Sequence, residues 1–269
     1  MNRIDAVFNK LQSKQEKALL PYVTSGYPSL DFTKELVPIL ADAGADIIEI
    51  GVPYSDPVAD GPTIQRASAR ALATGITLDK VFRMVEEIRK NCQVPLVLMT
   101  YYNPIYVTGV EIFIKRAVEA GIDGLIIPDL PVEEAGCLNA SAAKSGLSTI
   151  SLVAPTSTPQ RIEEIAEASR GFIYCVSVTG VTGAREELAT GLEDFLNRIR
   201  LHTELPLAVG FGISGLETAR QAAQHADGVI VGSALIEKIE ENILQGDSKK
   251  ALQEAAVFIK DLKEAIEVI

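Results

Sequence analysis

The chain has 269 residues, 47% of them hydrophobic and 23% charged, and carries a formal net charge of −11. So many apolar residues suffice for a sizeable core and exclude a disordered chain, while the acidic balance argues against nucleic acid and anionic membrane, which attract basic patches. No Lys/Arg-rich run is present, and no apolar stretch approaches the roughly 18 residues of a membrane span.

In chain order, Asn2 to Gln12 reads as a helix and Leu19 to Thr24 as the first strand. Phe32, Leu36, Val37 and Leu40 then recur at helical spacing. Ile47 to Gly51 is a second strand, apolar except for Glu49 at its centre. The loop from Val52 to Pro62 is stiffened by Pro53, Pro57 and Pro62 and carries Asp56 and Asp60. Asp79 to Cys92 forms an extra helix before the third strand, Leu96 to Tyr101. Further strands are read at Leu125–Ile127, Thr149–Val153, Phe172–Val176, Leu207–Val209 and Val229–Val231. A last helix follows from Leu252, Ala255, Ile259, Leu262 and Ile266.

The strands are nearly continuous apolar runs, as parallel strands covered on both faces are. Eight such units without a linker predict one domain over 1–269, an α/β protein of the (β/α)8 TIM-barrel class. It carries an extra helix at the N-terminus and another after strand 2. The alternative is an open doubly wound sheet, because strand order is not written in the sequence. Barrels place their active sites at the C-terminal strand ends, where the polar and glycine-rich segments of this chain fall.

Two of those segments, Gly210-Phe211-Gly212-Ile213-Ser214 and Gly232-Ser233-Ala234, follow strands seven and eight, the recurrent phosphate position of such barrels. They also fit ordinary turns capped by Ser214 and Ser233. Ser177 to Arg185, with two glycines and three hydroxyl residues, reads as a lid or as a surface connection. Glu49, aimed into the barrel by the period of two, needs an ionic partner, a proton or a catalytic use, since an unpaired buried charge costs several kcal/mol by rough estimate. Asp56 and Asp60 read either as site carboxylates or as turn residues, and Asp129 is a further polar candidate. Tyr22, Tyr101, Tyr102, Tyr174 and Phe211 fit the wall of a flat aromatic ligand or plain core packing. Cys92, Cys137 and Cys175 suggest neither disulfides nor zinc, and His202 and His225 are too few for most metal or triad chemistry. With no cleavage signal at the N-terminus, a reducing cytoplasm is expected.

Taken in order, Leu20-Pro21-Tyr22-Val23-Thr24, Glu49 to Gln65, Tyr102-Asn103-Pro104, Pro128-Asp129-Leu130-Pro131, Gly180-Val181-Thr182-Gly183 and Gly210 to Ser214 resemble the tryptophan synthase α-subunit family along the whole chain. The resemblance implies a lyase that splits indole-3-glycerol phosphate into indole and glyceraldehyde 3-phosphate by a retro-aldol reaction. It implies Glu49 as the acid/base at the indole C3 and Asp60 as the carboxylate at the indole N–H. It further implies Tyr22, Ile64, Tyr174, Thr182 and Phe211 for the substrate, with Gly183, Gly212, Gly232 and Ser233 for its phosphate. No metal or organic cofactor is implied in this chain. Pyridoxal phosphate (PLP) belongs to the implied partner, a β subunit in an αββα heterotetramer, which the loop from Pro53 to Asp60 approaches. Other phosphate-sugar barrels, a non-catalytic regulatory subunit and a stand-alone indole-releasing lyase remain as competing readings. Tyr27 stands where many relatives have an acidic residue, and Tyr22 where some have Phe.

Overall fold

A computed structural model describes residues 2–176, 185–210 and 212–267, with 185–190 by backbone only. Helix α1 (Arg3–Lys14) starts at Asn2, whose side chain accepts from Ile4 N. Strand β1 (Ala18–Thr24) follows, then α2 (Leu30–Asp42), β2 (Ile48–Gly51), α3 (Pro62–Ala73) and the extra helix α4 (Leu78–Arg89). Next come β3 (Leu96–Met99), α5 (Tyr102–Thr108), α6 (Val110–Ala120), β4 (Gly124–Ile126) and α7 (Gly136–Lys144). The fifth predicted strand is two segments, β5 (Ser148–Ile150) and β6 (Leu152–Val153), and α8 (Pro159–Ala168) and β7 (Ile173–Val176) follow. The chain continues through α9 (Arg185–Arg200), β8 (Leu207–Gly210), α10 (Leu216–His225), β9 (Gly228–Val231), α11 (Ser233–Ile243) and α12 (Ser248–Glu267).

All the strand pairs are parallel, in the order β5-β4-β3-β2-β1-β9-β8-β7-β6. The two ends of that order are the halves of one strand, so the sheet closes on itself and the open-sheet alternative falls. Ser151 sits at the change of partner, its carbonyl accepting from Tyr174 N at 3.0 Å.

The core has two layers. Ile48, Ile50, Leu96, Leu98 and Val209 face the helices, together with Leu36, Val85, Phe113 and Ile259. Inside the barrel lie Leu20, Ile47, Val97, Ile126, Ile150, Ala208 and Ile230, packed on Ile4, Phe8 and Leu11 of α1. Helix α1 is thus a plug under the N-terminal end of the barrel. Asn2 Nδ2 donates to the carbonyls of Asp123 and Gly146, while Arg3 and Arg89 both pair with Asp123, at 2.8 and 2.6 Å. No helix among the described residues is long and apolar enough to cross a membrane.

Candidate active site

Strand β2 pairs with β1 through Tyr22↔Glu49 and with β3 through Glu49↔Val97. Ile48 and Ile50 face the helix layer, so the pleat turns Glu49 into the barrel. Its exposure is 0%, and neither carboxyl oxygen has a hydrogen-bond partner among the described residues. Burial alone pushes its pKa up to about 8. No partner for the interior ion pair weighed from sequence lies among the described residues, and Glu49 keeps a proton at neutral pH. Thr24 Oγ1, two residues beyond Tyr22 on the same strand, is the other buried side-chain oxygen without a partner among the described residues.

The loop from Val52 to Gly61 separates the other carboxylates. Asp56 is exposed and accepts from Ser55 Oγ at 2.6 Å. Asp60 is half-buried, and burial pushes it up to about 6 against the opposing hydrogen bond of Tyr101. Asp129 accepts from Tyr102 N at 2.9 Å and so supports the start of α5. Tyr101, read from sequence as the last strand residue, is instead the N-cap position of α5 and is buried.

Tyr22, Asp60, Ile64, Tyr174, Gly212, Gly232 and Ser233 line one cavity of about 120 Å³ at the C-terminal end of the barrel. Seven of the residues singled out from sequence thus converge there from β1, β7, α3 and the loops after β2, β8 and β9. Glu49 does not itself line the cavity, but Tyr22, opposite it across the strand pair, does. Two glycines make room for the phenols: a Cβ on Gly51 would overlap Tyr22 Oη, and one on Gly210 would overlap Tyr174 Oη. Met99 and Ile230 also line the cavity and were not singled out, while Ile213 lies there within the segment read from Gly210 to Ser214. Met99 ends β3 and Ile230 lies on the inner face of β9, positions that strand alternation carried to the end of each strand would have found. A larger cavity of about 460 Å³ lies between the loops after β4 and β6, near Asp129 and Arg161, but no orphaned buried polar atom among the described residues adjoins it.

The glycine segments differ in their free amides. Helix α11 begins at Ser233 with Gly232 at its N-cap and no described side chain capping it, which leaves its first amides open to an anion. Helix α10 begins at Leu216 after Gly215, not after Ser214, and the Thr218 hydroxyl accepts from the amides of Ser214 and Gly215 at 3.0 and 3.1 Å. The serine caps weighed as the alternative at Ser214 and Ser233 are therefore not formed. Gly212 has φ +82°, a left-handed conformation suited to glycine. Helices α3 and α11, which both border the cavity, are joined by Thr63–Glu237 at 2.9 Å and by Arg66 and Arg70 on Glu240 at 3.2 and 2.8 Å. Thr182, Gly183, Phe211 and, but for the backbone of Arg185, the lid read over Ser177 to Arg185 lie outside the described residues.

A family model described as the tryptophan synthase alpha chain matches residues 8–267. The tryptophan synthase alpha chain of Geotalea daltonii is 51% identical over 266 residues, covering 99% of both chains. That of Thermoanaerobacter sp. (strain X514) is 47% identical over 266 residues, 99% of this chain and 100% of the relative. Among solved structures, tryptophan synthase subunit alpha from Legionella pneumophila superposes with a TM-score of 0.93 at 41% identity, covering all of both chains. A chain of tryptophan synthase from Mycobacterium tuberculosis in a ligand-free form gives 0.89 at 36%, again over all of both chains. On the strength of these whole-length matches the chain belongs to the tryptophan synthase alpha chain family, carbon–carbon lyases that cleave indole-3-glycerol phosphate to indole and glyceraldehyde 3-phosphate in tryptophan biosynthesis.

Proposed function

We propose that Glu49 and Asp60 divide the proton work of this cleavage. Glu49, protonated at neutral pH, delivers its proton to the indole C3, and Asp60, ionised there, holds the indole N–H as positive charge develops on the ring. The Glu49 carboxylate then takes the proton of the glycerol hydroxyl next to C3. The C–C bond breaks, its electron pair returns to the ring, and indole and the aldehyde leave with Glu49 again protonated. Protonating carbon needs an acid of raised pKa, and stabilising the ring cation needs a carboxylate that stays ionised. The observation that carries the assignment is the pair of Glu49 oxygens, wholly buried and without a partner among the described residues.

Around that pair, Tyr22, Ile64 and Tyr174 would hold the indole, together with Phe211 and Thr182. The phosphate would sit on the open amides at Gly232 and Ser233, beside Gly212 and Gly183. The chain acts as one barrel unit over 1–269 in the cytoplasm, using its own carboxyls, with PLP belonging to a β subunit in an αββα assembly. Support for a partner on this face comes from Val58, Tyr106 and Val107, which are 84%, 71% and 76% exposed after β2 and β3. Purified protein should cleave indole-3-glycerol phosphate slowly alone and faster with a β subunit. Glu49→Gln and Asp60→Asn should each lower turnover by a factor of 100 or more, on the order of general acid–base contributions, without loss of fold. Near-normal turnover in either variant overturns these roles.

A further inference from the structure

Tyr101 holds the loop from Val52 to Gly61 at three points. Its ring stacks on Tyr54, with centroids 4.9 Å apart and planes 24° from parallel. Its oxygen accepts the amide of Ala59 at 2.9 Å. A phenol oxygen that accepts one hydrogen bond still has its own proton to donate, and that proton goes to the Asp60 carboxyl. The ring is buried, only 4% exposed, and its backbone is fixed where β3 passes into α5. The loop also leans on Gln65, whose Nε2 donates to the Asp60 carbonyl at 2.9 Å, but that side chain is exposed.

From this geometry we infer that Tyr101 is the positioning residue of the site, fixing both the place of Asp60 and its readiness to stay ionised. The inference rests on the reading of Asp60 given above. Two influences act on the Asp60 carboxyl: burial raises its pKa, and the Tyr101 hydrogen bond lowers it, because a donor favours the ionised form. Among the described residues, the other titratable groups whose fields meet Asp60 are the phenols of Tyr22 on β1 and Tyr174 on β7. Burial holds both well above their ordinary range, so neither changes charge where Asp60 titrates. Tyr101 itself is pushed up to about 12 by burial and keeps its proton throughout the working range. It is thus a fixed donor to a titrating acceptor. Without that donor, burial is left unopposed, and Asp60 holds its proton to higher pH.

Tyr101→Phe keeps the ring and its stack and deletes only the hydroxyl; Tyr54→Leu deletes the stack and keeps the hydroxyl. Turnover of indole-3-glycerol phosphate should be followed from pH 5 to 9 for both, for the parent and for Asp60→Asn, with thermal unfolding recorded alongside. In Tyr101→Phe the acidic limb of kcat/KM should move up by about one pH unit. Activity then falls about five-fold at pH 6 and less than about two-fold at pH 7.5, beyond any pH-independent loss. Tyr54→Leu should scale the whole curve without moving the limb. An acidic limb at the parent's pH in Tyr101→Phe, with or without a uniform loss, overturns the inference while leaving the role of Asp60 intact. Near-parent turnover in Asp60→Asn overturns the reading of Asp60 and this inference with it.

Discussion

At the scale of single residues, the site depends on two carboxyls whose surroundings push their pKa values apart. Glu49 is pushed up to about 8 by its dry socket, and Asp60 to about 6 by half-burial offset by Tyr101. The reaction needs Glu49 protonated and Asp60 ionised, so kcat/KM should be bell-shaped in pH, rising near 6 and falling near 8. A steady-state pH series checks this, and an optimum well outside that window contradicts the assignment. The same burial makes Glu49 a liability for folding. Between its ordinary value of 4.5 and about 8, the folded carboxyl holds a proton that the unfolded chain has released. The native state then binds more protons than the unfolded state, so stability falls as pH rises through that window. Glu49→Gln has no such proton, and its unfolding free energy should exceed the parent's increasingly, by a few kcal/mol at the alkaline end. Urea unfolding of parent and variant from pH 5 to 8.5 measures the divergence, and parallel curves would refute it. Glu49 was legible in the sequence because one charge in an apolar strand stands out. Tyr101 was not, since a tyrosine at a strand end looks the same whether it packs, lines a pocket or donates to a loop.

At the scale of elements, the extra helices were readable and their work was not. Periodicity gave a helix ahead of the first strand, but nothing local showed that Ile4, Phe8 and Leu11 would fill the barrel end from below. That placement depends on Asp123, which is 5% exposed and binds Arg89, Arg3 and the amide of Leu96 at 2.9 Å. Asp123→Ala leaves the Arg89 guanidinium, 10% exposed, without its carboxylate and should cost about 3–5 kcal/mol in urea unfolding. Arg3→Ala should cost about 1 kcal/mol or less, because its side chain is 46% exposed. Equal losses in the two variants would contradict the burial argument. The fifth strand, read as continuous, breaks at Ser151 because its backbone changes partner from β4 to β7 there. Such a break arises from barrel closure, and the local sequence carries no mark of it.

At the scale of the molecule, the barrel gathers the chemistry at one end and its structural plug at the other. The C-terminal end also shows apolar side chains to solvent at Val58, Tyr106 and Val107. If this face receives the β subunit, Tyr106→Asp with Val107→Asp should abolish most of the activation by that subunit while leaving the slow activity of the isolated chain nearly unchanged. Activation titrations check this, and unchanged activation argues against the face. The strand and helix alternation, the glycine segments and the misplaced charge of Glu49 were all determined by the sequence, because each is a local property of residue type and spacing. Register and closure decided the rest. They set Glu49 opposite Tyr22, left its oxygens without partners among the described residues, brought Asp60 under the Tyr101 hydroxyl, and set Gly232 and Ser233 across the same cavity. Those relations join residues far apart in the chain, so only packing the strands in a ring could fix them.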